Sequence, residues 1–282
     1  DLYFAADPCF TARLRRQRPR WVQVLPRHRT FTALERAVLA PPSRTLLLLL
    51  SDAQRTEYER EYGPLGQRAR LLPPGLAADR RPAAPDAAGR AATRSELGVR
   101  ADEHLLLLLA TNPHLKGLDR AIEAVATLPT EVRERCQLRA IGAPPDVRFE
   151  RLARTHGIGA HCRMLPARDD VPQLLRAADL LLHPARADNT GTVLLEALVA
   201  GRPVVCTSVC GHAHHVRAAD AGVVLPEPFE VAALTAALRD LLCADAAELQ
   251  ARAAAYGQRL DLGAMHRAVV DAVEQRAQRQ SV

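Results

Sequence analysis

Two acidic residues at a fixed spacing carry the strongest chemical signal in the sequence. Asp188 and Glu196 lie eight residues apart in the stretch Leu180-Leu-Leu-His-Pro-Ala-Arg-Ala-Asp-Asn-Thr-Gly-Thr-Val-Leu-Leu-Glu196. The pattern predicts a strand that ends at His183, a polar loop, and a helix that begins near Gly191. Backbone N–H groups at the start of a helix bind anions, most naturally a phosphate.

The spacing of the two carboxylates suggests the kind of ligand. At a helical rise of 1.5 Å per residue they are about 10–12 Å apart, which is the span between the sugar and the ribose of a nucleotide sugar. The alternative is structural: Asp188 or Asn189 caps the helix, and Glu196 is a satisfied carboxylate of the core. An acid among leucine and alanine side chains is costly unless it is paired, which favours the ligand-binding interpretation.

A second loop of the same kind contains the single lysine of the chain. The apolar run Leu105–Ala110 is followed by a polar loop that ends at Lys116 and Gly117, where a helix begins. All the other basic residues are arginines. A lone ammonium at a strand-to-helix loop therefore indicates a site that needs a compact, flexible charge on a phosphate. The alternative is a chance position on a solvated helix start.

The elements that must position these loops alternate regularly along the chain. Strands are predicted at Leu2–Ala6, Thr45–Leu50, Leu105–Ala110, Leu138–Gly142, Leu180–His183, Pro203–Cys206 and Gly222–Leu225. Helical patterns lie between them, at roughly 54–62, 119–128, 147–156, 171–178, 191–200 and 231–242. Apolar runs of this kind, separated by helices, predict parallel sheets covered on both faces. The predicted fold class is therefore α/β, doubly wound.

Composition shifts divide the chain into domains. The stretch 77–100 is rich in Ala, Arg, Asp and Pro and contains no strand run, which is typical of an interdomain linker leading into a helix. We expect a partial Rossmann-like domain at 1–82 and a complete one at 83–245. The final helices at 246–282 are predicted to pack back toward the first domain.

On these two loops the chain resembles the retaining glycosyltransferases of family 4, which have two Rossmann-like domains (the GT-B fold). Within that family it is similar to the lipopolysaccharide core glucosyltransferases (heptose glucosyltransferase I). The family's E-x7-E element reads Asp188 to Glu196, and its R-K-G-x-D-R loop reads Leu115 to Arg120. Further matches are Asp1–Asp7, Leu72–Leu76 with Asp79 and Arg80, Arg168–Val171, Ala178–Ala185 and Val209–His214.

The resemblance implies a role for each matching residue. Lys116 neutralises the diphosphate of UDP-glucose, helped by the loop at Asn189, Thr190 and Gly191. Glu196 holds the ribose hydroxyls, Asp188 holds the hexose, and Arg168 lies beside the uracil. Lys116, Asp188 and Asp7 are the implied catalytic residues, with Asp7 on the acceptor side; a turn or helix cap before Pro8 is its alternative role. The implied reaction moves glucose to the inner-core heptose with retention, using no cofactor and no metal.

Several positions depart from the family pattern. Asp188 stands where a glutamate is expected, Leu115 replaces an arginine, and Ala110 replaces a glycine. The family also has a further half-domain before the point that matches Asp1. We therefore expect an N-terminally truncated chain, whose first domain is incomplete. The alternative function is a non-catalytic remnant that still binds a uridine nucleotide.

The histidines and cysteines are the remaining candidates for metal ligands. Zinc needs three or four converging ligands, and His212, His214 and His215 already belong to the family's loop, so we predict no metal. His183 is interpreted as a strand-end residue that lines the cleft. The six cysteines form no C-x-x-C pair, so a zinc ribbon or redox motif is not supported and a reduced, cytoplasmic protein is expected.

An arginine-rich segment accounts for the net charge of +6. Pro8–Leu34 contains no acidic residue, and outside it the chain is nearly neutral, which argues against a nucleic-acid binder. Cations beside Trp and aliphatic residues suit an anionic membrane surface. The alternative is a solvated loop, or a helix whose apolar side joins the core. We predict peripheral attachment to the inner membrane, at a lipid-linked acceptor, through Arg13, Arg15, Arg16, Arg18, Arg20 and Trp21.

Overall fold

The computed structural model describes residues 1–17, 19–81 and 86–278. Arg18 and residues 82–85 and 279–282 lie outside the described residues, as do the side chains of Arg16, Gln17 and Arg20. The chain divides into two compact units, the first formed by Asp1–Gly75 with Asp261–Val282 and the second by Leu76–Leu260.

The first unit is a parallel sheet with helices on both faces. Its elements are β1 (Leu2–Phe4), α1 (Phe10–Gln17), α2 (Pro26–Leu39), β2 (Leu46–Leu49), α3 (Asp52–Tyr62) and β3 (Ala69–Leu71), with the last helix of the chain, α13 (Ala264–Gln278). Among the described residues the sheet has the order β1-β2-β3. Leu47 and Leu49 pack on one face with Cys9, Leu39 and Tyr58.

The opposite face of this sheet is covered by α13. Leu48 packs there with Leu72 and Ala272, and Met265 and Val269 join them. A strand whose successive side chains point to opposite faces needs apolar residues throughout when both faces are covered. This explains why β2 is an unbroken run of leucines.

The second unit is larger and contains the predicted loops. Its elements are α4 (Ala87–Glu96), β4 (His104–Leu109), α5 (Leu118–Ala126), α6 (Thr130–Arg133), β5 (Cys136–Ile141), α7 (Val147–Thr155), β6 (Cys162–Leu165), α8 (Val171–Ala177), β7 (Leu180–His183), α9 (Thr192–Val199), β8 (Val204–Thr207), α10 (Ala213–Ala219), β9 (Gly222–Leu225), α11 (Val231–Cys243) and α12 (Ala246–Arg259).

The strand order of the second unit decides where a ligand site belongs. Its parallel strands run in the order β6-β5-β4-β7-β8-β9. From β4 the chain proceeds outward through β5 to β6, and it then returns to place β7 on the other side of β4. The topological switch point therefore lies between β4 and β7, and ligands of such sheets bind outside the carboxyl ends of the strands at that point. The two predicted loops follow β4 and β7.

The predicted α/β fold class, with two Rossmann-like parallel sheets, is confirmed. The strand β3 is absent from the predicted runs because Arg70 interrupts its three residues, and Arg163 interrupts the apolar pattern of β6, of which only Met164 and Leu165 indicate a strand in the sequence. The helices α1 and α2 were also missed as elements. The helix α1 lies inside the arginine-rich segment, and α2 begins within it and ends beyond it, at Leu39.

The domain boundaries differ from the prediction in two places. The first unit ends at Gly75 rather than at 82. The final helices do not act as one group, since α12 belongs to the second unit and α13 to the first. Gly257 explains the position of α12: a Cβ there would lie 2.6 Å from the Cα of Val199, so the glycine lets α12 pack directly on α9.

Candidate functional site

Lys116 is held at the end of the loop that follows β4. Gly117 comes next with φ of 81°, in the left-handed region, and α5 begins after it. A Cβ at Gly117 would lie 2.1 Å from the carbonyl oxygen of Pro184. Only glycine fits both this contact and this φ. The loop after β4 is thereby packed against the loop after β7.

Asp188 is the centre of the site. Its Oδ2 lies 2.7 Å from the Lys116 Nζ and 2.7 Å from the Nε2 of His183. Its Oδ1 accepts the backbone N–H of Gly191 at 2.9 Å. Burial would raise the pKa of the Asp188 carboxyl, but the hydrogen bond from His183 and the charge of Lys116 outweigh it and hold this pKa well below its usual range. Asp188 is therefore ionised, and it joins the two loops.

Two arginines link the loop after β7 to the start of α5. Arg186 forms a bidentate pair with Asp119, with N···O distances of 2.8 and 2.7 Å. Arg120 donates to the carbonyl oxygens of Pro184 and Ala185, each at 3.1 Å. These contacts hold the loop after β7 against the start of α5. No sequence motif predicts a role for Arg186. The partners Arg186 and Asp119 are 67 residues apart, a separation at which no local pattern indicates contact.

Glu196 lies on α9 in a different environment. It is buried, and its one ion-pair partner among the described residues is Arg80, at 4.0 Å. Burial raises the pKa of the Glu196 carboxyl, and the charge of Arg80 opposes this only in part. Glu196 is thus a buried carboxylate with a weak partner, which is the arrangement expected of a group that receives ligand hydroxyls. Its pairing with Arg80 was not foreseen, although Arg80 lies in a matching segment.

The predicted loop residues Asn189, Thr190 and Gly191 precede α9. Gly191 has φ of 70° and immediately precedes Thr192, the first residue of the helix. The carbonyl oxygen of Thr190 accepts the N–H of His212 at 2.7 Å, which ties this loop to the start of α10. Asp188 itself lies before the helix, in a parallel bridge with Cys210, so the helical spacing used to estimate the carboxylate separation does not apply to it.

Arg168 has other partners than this cluster, and Asp7 belongs to the other unit. The Arg168 guanidinium bonds to both oxygens of Asp170, at 2.7 and 2.6 Å, and to Glu96 at 3.1 Å. Asp170 raises the pKa of Arg168 above its already high value. Asp7 belongs to the first unit, where its carbonyl oxygen accepts from Gln54 and Tyr58. Their predicted roles at the uracil and at the acceptor stay predictions.

The histidines after β8 form a packed group rather than a ligand set. The His214 and His215 rings are 4.0 Å apart, and the His215 Nδ1 lies 2.7 Å from the Tyr256 hydroxyl. In the described part of the chain, the ligand atoms that converge are those of His183, Asp188 and Cys210. The ammonium of Lys116 already lies beside the Asp188 Oδ2, and its positive charge disfavours a metal cation at the same oxygen. The expected independence from metals stays a prediction.

Residues 89–260 match the family described as "Glycosyl transferases group 1". The chain belongs to this family. The match ends with the second unit and includes every residue of the cluster around Asp188. The matched residues therefore include the switch point between β4 and β7.

Individual relatives agree with this assignment. The lipopolysaccharide glucosyltransferase WaaG of Escherichia coli is 37% identical over 242 residues, which are 86% of this chain and 65% of that protein. A D-inositol 3-phosphate glycosyltransferase of Geodermatophilus obscurus is 33% identical over 201 residues, which are 66% of this chain and 44% of the relative. The chain thus spans less than two thirds of the length of these curated relatives.

Solved structures show the same fold. The crystal structure of WaaG, a glycosyltransferase involved in lipopolysaccharide biosynthesis, aligns with a TM-score of 0.88 and 35% identity, covering 95% of this chain and 73% of that one. Anabaena HepE, solved in complex with UDP-glucose, aligns with a TM-score of 0.74 at 20% identity, covering 89% of this chain and 70% of that one. This second likeness is one of fold.

Proposed function

We propose that the chain is a glycosyltransferase of the WaaG type that acts in lipopolysaccharide biosynthesis. It transfers glucose from UDP-glucose to the inner-core heptose, with retention of configuration. The similarity to WaaG, a lipopolysaccharide glucosyltransferase, supports glucose as the sugar and lipopolysaccharide as the acceptor, while the heptose is implied by the family resemblance of the motifs. The crystal structure of HepE with bound UDP-glucose supports the class of donor.

The observation that carries this proposal is the position of Lys116 at the switch point. The ammonium lies 2.7 Å from Asp188 and keeps further N–H donors for a ligand, since a lysine has three. The helix starts after Gly117 and Gly191 add oriented dipoles on the same side of the sheet. Departure of UDP is the step that needs stabilisation, and a preorganised cation with dipoles around it meets that need. No metal or cofactor is required for this step.

Glu196 complements this phosphate site. A buried carboxylate at a distance from its only described ion-pair partner gains most from accepting ligand hydroxyl groups, because unmet hydrogen-bonding capacity is costly in the interior. We assign it the two ribose hydroxyls. The loop at Asn189 and Thr190 then faces the diphosphate.

The first unit supplies the surface for a lipid-linked acceptor. In the arginine-rich segment Trp21 is 66% exposed and Val24 68% exposed, and Phe31 and Leu34 are also exposed. Side chains of this size outside the core, next to cations, suit insertion among anionic lipid headgroups. Arg13 and Arg15 lie on α1, while Arg18 and the side chains of Arg16 and Arg20 lie outside the described residues. Within the described chain, no helix has the length and apolar character needed to cross a bilayer.

Calorimetry with UDP and UDP-glucose tests the donor site. We expect saturable binding of both ligands. Glu196→Ala is expected to weaken the binding of each about tenfold or more, because the loss of a ligand hydrogen bond to a charged group costs about 1.5–3 kcal/mol. Glu131→Ala changes an exposed acid of the same unit and serves as the matched control. Absence of saturable binding, or binding that Glu196→Ala leaves unchanged, would refute the donor site.

Activity is then measured as transfer of labelled glucose to a heptose-terminated lipopolysaccharide core. Product that depends on Lys116 supports the proposed transferase. Intact UDP binding without product points instead to the alternative function, a remnant that binds a uridine nucleotide.

A further inference from the structure

His183 has a second role besides ending a strand. It is the last residue of β7 and is only 1% exposed, yet its Nε2 lies 2.7 Å from the Asp188 Oδ2. That same oxygen is 2.7 Å from the Lys116 Nζ. An imidazole, a carboxylate and an ammonium thus form a continuous chain, and only Lys116 at its end is placed to reach a ligand phosphate.

The hydrogen bonds of the imidazole indicate its tautomer. The His183 Nδ1 is buried and has no hydrogen-bond partner among the described residues. A buried N–H without an acceptor is rarer and costlier than an unfilled lone pair. The neutral form that carries its proton on Nε2 fits this geometry, so His183 donates to Asp188. The carboxylate then keeps its charge for Lys116.

Asp188 is held by three partners in this arrangement. A carboxylate offers about four lone-pair positions, and three are used by His183, Lys116 and the N–H of Gly191. One of these partners, His183, ends the strand before the loop, and another, Gly191, immediately precedes the helix after it. The orientation of the carboxylate is therefore fixed from both sides before it meets Lys116.

We propose that His183 is a positioning residue that acts on the donor diphosphate through Asp188 and Lys116. This inference rests on the proposed function and adds to it: the Asp at position 188 serves to aim the lysine. The ligand group concerned is the diphosphate, so the effect is expected with UDP alone as well as with UDP-glucose.

A double-mutant cycle on UDP affinity tests the chain of contacts. His183→Leu removes the donor and leaves an apolar side chain in a buried position, and we expect UDP to bind about three- to tenfold more weakly. In a Lys116→Met background the same change is expected to weaken UDP binding less than about twofold, because coupled residues are not additive. His156→Leu, at an exposed position at the end of α7, is the matched control.

Either of two results in the double-mutant cycle would overturn the proposal. One is an unchanged UDP affinity in His183→Leu, and the other is the same loss in both backgrounds. His183→Gln retains an N–H donor and is expected to bind UDP within about twofold of the unmodified chain; binding as weak as that of His183→Leu would also overturn it. Thermal unfolding identifies a variant that does not fold, in which case His183→Met takes the place of His183→Leu in the cycle.

Failure of this inference is distinguishable from failure of the proposed function. A chain that binds no UDP at all refutes the proposed function itself. A chain that binds UDP and loses affinity in Lys116→Met, but not in His183→Leu, refutes only the role of His183.

Discussion

At the residue scale, the identity of the one lysine matters because of how it is paired. The Lys116 ammonium meets a single Asp188 oxygen, and the other oxygen is held by the N–H of Gly191. A guanidinium at this position would favour a bidentate fork across both oxygens. It would compete with Gly191 and with His183 for the same carboxylate.

Lys116→Arg is therefore expected to impair the site although it conserves the charge. We expect UDP affinity, and kcat/KM for UDP-glucose, to fall about tenfold or more, a loss of about 1.4 kcal/mol. Calorimetry and steady-state transfer rates provide the measurements. The reciprocal change Arg148→Lys, at an exposed position, is the control. Undiminished affinity and activity in Lys116→Arg would contradict the demand for a compact ammonium.

At the element scale, the start of α1 shows how the arginine-rich segment is fixed. Glu35 on α2 accepts the N–H groups of Phe10 and Thr11 at 2.6 and 2.9 Å, and these are orphan donors of the first turn of α1. Leu14 is buried, so one side of α1 joins the core, in agreement with the alternative interpretation. Trp21, Val24 and Phe31 remain exposed. The segment is thus a folded platform with apolar side chains left on its surface.

Membrane attachment is tested by flotation with anionic liposomes. Replacing Arg13, Arg15 and Arg16 by Gln is expected to reduce the bound fraction several-fold, at about 1 kcal/mol per cation near the surface. Arg15 is expected to contribute least, because it pairs with Glu61 at 2.5 Å. The matched control replaces three exposed arginines of the second unit by Gln, namely Arg100, Arg148 and Arg239. Binding that is retained by the first variant and insensitive to salt would count against the platform.

At the scale of the whole molecule, buried histidines link stability to pH. Burial, together with the charge of His214, lowers the pKa of His212 and of His215 to about 4. Both are neutral in the folded chain down to that pH. In the unfolded chain they take up protons below about 6.5. The free energy of unfolding is therefore unaffected by the titration of these two histidines above about pH 6.5. It decreases as the pH falls from there toward 4, because the unfolded chain takes up protons that the folded chain does not.

We expect the free energy of unfolding to drop by about 1–2 kcal/mol per histidine between pH 7.5 and pH 5. Urea unfolding at the two pH values measures this drop. In the double variant His212→Asn, His215→Gln the decrease is expected to shrink, since neither amide titrates. The control is the double variant His156→Asn, His266→Gln, because neither of these histidines is buried. An equal decrease in all three proteins would exclude the two buried histidines as its source.

Much of the fold follows from the sequence for a simple reason. Strands covered on both faces must be apolar throughout, so β2, β4 and β7 are visible as leucine runs. The three-residue β3 and the partly exposed β6 lack that signal. The position of α12 depends on one contact between Gly257 and the backbone of α9, and such a contact has no periodic signature.

The sequence by itself determined the type of fold and the two strand-to-helix loops with their polar residues, because these depend on local pattern. Only the tertiary structure decided which of these residues meet. Strand order placed β4 beside β7, and that adjacency joined Lys116, His183 and Asp188 while Arg168 was paired elsewhere. Pairings between residues distant in the chain depend on the order in which strands assemble, and this order is a property of the whole sheet.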